Sequence, residues 1–224
     1  MMHGIVIDNT DTMKDLGLIA LSDIKIGSPE PKTSYVSVPE ADGDLDLTEA
    51  ISGEVRYGMR QISLTLFAVR DITGTRNGPP DERQLSGVKS ALMALAHGKK
   101  KKIWLPDDPE HYFLGRITIG EKSNYNSGRF QISATVEPWR FKNEPTERVV
   151  SSGGKIIAAN EQRRICPVFT VTQGGASIVF KGETYTLTNG ENVFSGIRLE
   201  PGRNELTFSN VTVPITMSYQ EAIL

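Results

Sequence analysis

Four acidic side chains lie close together in one short stretch, and they are the strongest candidates for chemistry in the sequence. The set comprises Asp42, Asp44, Asp46 and Glu49. Carboxylate oxygens are the ligands that Ca²⁺ prefers, so alternate aspartates predict a possible metal site. An EF-hand loop that began at Asp42 would need Gly at its sixth position and Glu at its twelfth. The sequence has Leu47 and Gly53 at those positions, so it does not meet that requirement.

The same stretch also has the pattern of a turn that leads into a strand. Asp42 and Gly43 form a dipeptide that is typical of tight turns. After them, Leu45 and Leu47 alternate with aspartates, which predicts one apolar and one acidic face. We favour this structural interpretation and keep metal binding as the alternative.

Histidine and cysteine, the usual zinc ligands, are few and scattered. They are His3, His97, His111 and Cys166. None of them shows the pair spacing of a zinc site, and each is interpreted as structural. No nucleophile elbow, zinc-protease motif, phosphate loop or dinucleotide fingerprint occurs in the sequence. The sequence therefore favours a protein that is not an enzyme and that needs no cofactor.

A basic run follows the one segment that has a clear helical pattern. Asp81 is a candidate N-cap, and the helix has one apolar stripe. The stripe consists of Leu85, Val88, Leu92 and Leu95. Gly98 predicts the end of the helix, and residues 99–102 are all lysine. We interpret these lysines as a solvated helix end rather than as a phosphate site.

Most other segments have the alternation of β-strands. In residues 60–69, Ile62, Leu64 and Leu66 recur with period two, and residues 128–138 repeat the pattern. The composition shifts within residues 141–154, after which short apolar runs alternate with Gly and Pro turns. The sequence therefore predicts a mainly β chain with an N-terminal domain over residues 1–145 and a small antiparallel β-sandwich over residues 146–224.

Composition excludes several classes of protein. The 224 residues carry a net charge of -2, without the basic surplus that is usual in nucleic-acid binders. One cysteine cannot form an internal disulfide. The apolar runs are far too short to span a bilayer, and residues 1–13 lack the apolar core of a signal peptide.

Several short motifs, taken in order, resemble the distal tail proteins of long-tailed bacteriophages and prophages. In the N-terminal half they are an extended Pro-containing segment from Gly27, the turn at Asp42–Thr48, Tyr57 with Arg60, His97-Gly98-Lys99, the acidic turn at Pro106–Pro109, Gly115-Arg116 and Pro138–Lys142. In the C-terminal half, Gly196–Phe208 contains a Pro-Gly-x-Asn turn. The resemblance covers most of the chain through the order and spacing of these motifs.

The resemblance implies a fold and a structural role. It implies a β-sandwich-like N-terminal domain with one helix that builds a homohexameric ring, and a galectin-like C-terminal sandwich that docks other tail proteins. The implied partners are further copies of the chain, the tail tube protein, a tail tip or baseplate hub protein, and receptor-binding proteins. DNA would pass through the channel of the ring without specific binding. The protein would assemble in the bacterial cytoplasm and reside in the virion.

Strands rich in Val, Tyr and Arg are suited to pairing across a ring interface. We therefore expect the ring contact at Tyr35, Val36, Val38, Tyr57 and Arg60. In the alternative interpretation these strands complete a sheet within one chain, and Arg60 is an internal ion-pair partner. The interface interpretation predicts that Arg60→Glu weakens the hexamer and leaves the circular dichroism of the monomer unchanged.

A second functional hypothesis is a monomeric carbohydrate-binding β-sandwich module. An exposed aromatic platform can hold the face of a sugar, although such rings more often belong to a core or an interface. The candidates for that platform are Trp139, Tyr185 and Tyr219.

Overall fold

The computed structural model describes residues 3–40, 42–69, 81–120 and 128–224. The chain divides into two compact units, Met1–Pro138 and Trp139–Leu224. The division expected from the sequence lies a few residues further on, after residue 145.

The first unit contains two helices and twelve strands among its described residues, the last of which continues into the second unit. The helices are α1 (Thr12–Leu16) and α2 (Glu82–Ala96). The strands are β1 (Val6–Ile7), β2 (Thr10–Asp11), β3 (Leu18–Ala20), β4 (Lys25–Ile26), β5 (Pro31–Lys32), β6 (Tyr35–Ser37), β7 (Asp44–Asp46), β8 (Arg56–Tyr57), β9 (Arg60–Ala68), β10 (Lys100–Leu105), β11 (Asp108–Ile119) and β12 (Arg129–Lys142).

The main sheet of this unit curls around an apolar core. Its strand order is β2-β1-β10-β11-β12-β9-β3, and β4 also pairs with β9. The two ends approach each other, since the amide of Ala20 donates to the carbonyl of His3 over 2.8 Å. Alternate residues of β9 and β12 point inward, among them Leu64, Leu66 and Phe130. The predicted alternation of both strands is therefore confirmed.

Helix α2 packs its apolar stripe against this core. Leu85 and Leu92 are buried, and Val88 and Leu95 are partly buried against the same cluster. The helix begins at a reciprocal cap, in which the amide of Gln84 donates to Asp81 over 2.8 Å and the Gln84 side chain accepts from the Asp81 amide. Within the described residues, no helix is long and apolar enough to cross a membrane.

Two sequence-based expectations for this unit were wrong. The sequence predicted one helix, but Thr12–Leu16 forms a second short helix, capped by the carboxylate of Asp11. The lysine run was interpreted as a solvated helix end, but Lys100–Leu105 forms β10 in the main sheet. The strand pairs with β11, and its lysines make specific contacts, such as that of Lys101 with Asp8 at 2.6 Å.

The second unit is an antiparallel sandwich of two four-stranded sheets. One sheet has the order β13-β20-β15-β18, the other has β14-β19-β16-β17, and β21 pairs with the end of β12. The strands are β13 (Thr146–Val150), β14 (Gly154–Asn160), β15 (Val168–Val171), β16 (Ser177–Phe180), β17 (Glu183–Thr186), β18 (Gly190–Val193), β19 (Gly202–Ser209), β20 (Ile215–Tyr219) and β21 (Ala222–Ile223). Phe169, Phe208 and Met217 lie in one buried cluster between the sheets. The prediction of a mainly β chain with a C-terminal sandwich is confirmed.

Two details of the sandwich differ from the sequence-based expectation. One of the short apolar runs, residues 193–199, has the pattern of a strand, but the strand ends at Val193. The composition of residues 141–154 gave no signal of a strand, but this segment contains all of β13.

Candidate functional site: an exposed acidic arm

Residues 27–58 form a two-stranded arm in the first unit. Strand β5 pairs with β8, with Pro31 opposite Tyr57, and strand β6 pairs with β7, with Tyr35 opposite Asp46. Gly43, at the tip, has a φ of 82°, a left-handed conformation that glycine adopts without strain. No described residue of the arm is buried. An isolated two-stranded ribbon is marginally stable in water, so a covering surface would stabilise this arm.

The outer half of the arm has one apolar and one acidic face. Val36 pairs with Leu45, and paired residues point to the same side of a ribbon. By alternation, Val38 and Leu47 belong to that side, and all four side chains are exposed. On the opposite side Asp44 and Asp46 pair with Ser37 and Tyr35. We call the side formed by Val36, Val38, Leu45 and Leu47 the apolar face of the arm.

The structure brings together three of the five expected interface residues. Tyr35, Val36 and Val38 all lie in the outer half of the arm, and the Tyr35 side chain is 58% exposed. Tyr57 lies at the base of the arm and is half-buried. Their role in an interface stays a prediction.

Arg60 has a different environment from the other four. It is only 6% exposed, and its guanidinium lies over the Phe113 ring at 5.7 Å. This burial argues against the expectation that Arg60→Glu leaves the monomer unchanged, because the substitution places a carboxylate against an aromatic ring. The signal was available in the sequence: Arg60 is in phase with the inward residues Ile62 and Leu64.

Three exposed apolar residues of this region were missed as candidates. Leu45 and Leu47 complete the apolar face, and Ile51 is fully exposed on the returning segment. Single exposed apolar residues need no explanation, but a contiguous group marks an interaction surface. The alternation of Leu45 and Leu47 was the signal that could have identified them.

The acidic cluster has a structural role in part. The backbone amide of Thr48 donates to Asp46 over 2.9 Å. Hydrogen bonds from Thr48, through its side chain and then its amide, lower the pKa of Asp46 below its usual value. Among residues 3–40, 42–69, 81–120 and 128–224, no group of three His, Cys, Asp or Glu side chains is arranged to hold a metal ion.

The three aromatic candidates for sugar binding do not form an exposed platform. Tyr219 is 3% exposed and its hydroxyl donates to the carbonyl of Ala159, so it belongs to the core. Tyr185 packs on Phe194 with ring centroids 5.2 Å apart, and Trp139 is half-buried. The expectation for Tyr219 was therefore wrong, because a ring enclosed between two sheets cannot stack on a ligand.

The fold of the whole chain is similar to that of a solved phage protein. The crystal structure of SPP1 Dit (gp 19.1), described as a paradigm of hub adsorption apparatus in phages that infect Gram-positive bacteria, matches with a TM-score of 0.65. The chain has the fold of a phage hub protein. The match covers 99% of each chain at 13% sequence identity, while no protein-family model and no curated protein sequence matches. The resemblance stated from the sequence is thus confirmed at the level of fold.

Proposed function

We propose that this protein is a structural component of the distal end of a phage tail. In this proposal, six copies close into a ring that joins the tail tube to the tip or baseplate, and DNA passes through its channel. The observation that carries the proposal is the apolar face of the arm, which has no cover within the described part of one chain. The similarity of fold to a phage hub protein supports it independently.

The arm is suited to a head-to-tail contact between copies. A ring needs two different surfaces on each subunit, so that one copy inserts and the next receives. Val36, Val38, Leu45 and Leu47 are each about half exposed, so covering them contributes about 1 kcal/mol per side chain. Tyr35, on the acidic side of the arm, and Tyr57, at its base, are assigned to the edges of the same interface. Each subunit makes this contact twice, once with its own arm and once with the surface that receives the arm of a neighbour. A modest energy per contact is therefore sufficient for a closed ring.

We assign the two units different roles in the assembly. The N-terminal unit, expected over residues 1–145, forms the ring through its arm. The C-terminal sandwich, expected over residues 146–224, docks tail tip, baseplate or receptor-binding proteins. The ring would assemble in the bacterial cytoplasm and reside at the tail tip of the virion, without enzymatic activity.

Negative-stain electron microscopy of the purified chain tests the proposal. The wild-type protein is expected to give class averages of a six-fold ring with a central opening. The double variant Val36→Ser/Leu45→Ser is expected to give separate particles, because it replaces two residues that face the same side of the arm.

The matched control is Val149→Ser/Val193→Ser, which replaces two exposed valines of the second unit. This control is expected to keep the ring. Solitary wild-type particles, also when mixed with tail tube protein, would overturn the proposal. If those particles bound glycans, the alternative of a carbohydrate-binding module would replace it.

A further inference from the structure

Charge is distributed unevenly over the first unit. The arm, residues 27–58, contains seven carboxylates and two basic side chains, a net charge of -5, whereas the whole chain carries -2. The rest of the chain is therefore net positive. A separation of this kind creates complementary potentials between copies of one protein.

The positive charge is concentrated on the outer face of the main sheet. Lys100 pairs with Arg116 and Lys102 with Leu114 across β10 and β11, and all three cations are exposed. Lys25, opposite Ser63, and Arg129, opposite Phe67, add two exposed cations on the same sheet. We call the surface formed by Lys25, Lys100, Lys102, Arg116 and Arg129 the basic face.

Strand pairing with alternation, together with contacts across the strands, places these residues on one side of the sheet. Lys100 on β10 reaches Glu137 on β12 over 2.8 Å, which spans the intervening strand β11. Further along β12, Thr135 accepts a hydrogen bond from Gln61 on β9 over 3.0 Å. The carboxylates of Glu137 and Asp23 lie among the five cations and only partly offset their charge.

We infer that the basic face of one copy receives the acidic side of the arm of the next copy. The inference rests on the proposed ring and names the surface that accepts the arm. Asp44 and Asp46 point away from the apolar face, so they are placed to meet cations while the apolar face covers a second surface. Charge complementarity selects this occupant, since the arm carries the largest excess of negative charge on the chain.

Nucleic acid is the other polyanion that a basic face could contact. The arm is favoured because each added copy brings one arm and one basic face at equal stoichiometry. The net charge of the chain also disfavours binding to a phosphate backbone. DNA binding by this face is therefore an outcome of the test that would overturn the inference.

Charge reversal with rescue tests the inference. Asp42→Lys/Asp44→Lys reverses the arm, and Lys102→Glu/Arg116→Glu reverses the basic face; all four side chains are exposed. By sedimentation velocity, each double variant is expected to weaken self-association at least tenfold. The quadruple variant is expected to recover rings, because both partners are reversed. Raising NaCl from about 0.05 M to about 0.5 M is expected to weaken the wild-type ring.

Matched controls reverse equal charge in the second unit. They are Glu147→Lys/Glu191→Lys and Lys155→Glu/Arg203→Glu, all on exposed side chains, and both should assemble like the wild type. Far-UV circular dichroism reports whether each variant is folded.

Each remaining result has a defined meaning. Rings that persist in both reversed variants would overturn this docking. Loss of rings in both double variants without recovery in the quadruple variant would overturn it as well. Neither result would affect the proposed ring itself. A wild-type monomer at every salt concentration, also in the presence of the tail tube protein, would overturn both proposals. If the wild type bound duplex DNA, and Lys102→Glu/Arg116→Glu lost that binding but kept its rings, the basic face would be assigned to nucleic acid.

Discussion

Asn204 stabilises the tight turn at residues 200–204 of the sandwich through hydrogen bonds of its side-chain amide. Its Oδ1 accepts from the amide of Glu200 over 2.8 Å. Its Nδ2 donates to the carbonyls of Glu200 at 2.8 Å, Gly202 at 3.2 Å and Ala158 at 3.4 Å. The side chain is 5% exposed, so water cannot replace these bonds.

Asn204→Ala should therefore cost about 2–4 kcal/mol of unfolding free energy. A net hydrogen bond is worth about 0.5–1.5 kcal/mol, and a buried group left without a partner costs about 1–3 kcal/mol. The substitution removes all four side-chain bonds, of which the two to Glu200 are the shortest, and leaves the Glu200 amide unsatisfied. Asn192 makes the same set of bonds to Thr188, Gly190 and Phe169, so Asn192→Ala should cost a similar amount.

Urea unfolding followed by circular dichroism measures this cost, and hydrogen exchange reports where protection is lost. Faster exchange is expected in β19 and β14, with β9 and β12 of the first unit unchanged. Arg203→Ala is the matched control, since Arg203 is an exposed neighbour in the same turn, and it should change stability by less than about 0.5 kcal/mol. An Asn204→Ala cost within that same range would refute the reasoning.

Three further predictions concern the first unit. Gly87 is exposed in α2 with open space where a Cβ would lie, so Gly87→Ala should raise the melting temperature through a gain of up to about 1 kcal/mol. A Cβ on Gly115 would lie 2.3 Å from the carbonyl of Thr135, so Gly115→Ala should lower the melting temperature; equal shifts for the two glycines would contradict this. Burial disfavours the Asp8 carboxylate, but hydrogen bonds from Lys101 and the Lys102 amide outweigh it and lower the pKa of Asp8. This stabilisation is present above the unfolded pKa of about 3.9 and is lost as pH falls through the lower folded value. The unfolding free energy of Asp8→Asn should thus change less below about pH 4 than that of the wild type, and identical acid profiles would count against the contact.

Elements with a strong local pattern could be predicted from the sequence. The helix follows from the Asp81 cap and the apolar stripe, and β9 and β12 follow from regular alternation. The edge strand β13 could not be predicted, because Glu147, Arg148 and Val149 are all exposed and leave no alternation. The segment after Val193 contains apolar residues that face the core from a turn, and hydrophobicity alone does not distinguish this from a strand.

The candidate site shows a different limit of sequence reasoning. Alternation of Val36 with Val38 and of Leu45 with Leu47 predicts a strand pair with one covered face. It does not tell whether the cover belongs to the same chain, which is why an internal sheet stayed an alternative. The structure leaves that face exposed within the described residues. At Arg60 two sequence signals conflict: its position in the alternation of β9 predicts burial, whereas its charge predicts exposure.

Native mass spectrometry of the purified wild-type chain tests the central claim most directly. The account predicts a dominant species at six times the chain mass of 24.6 kDa, which the Val36→Ser/Leu45→Ser variant converts to single chains. A wild-type spectrum that contains only the mass of one chain, at low salt and in the presence of the tail tube protein, would contradict it.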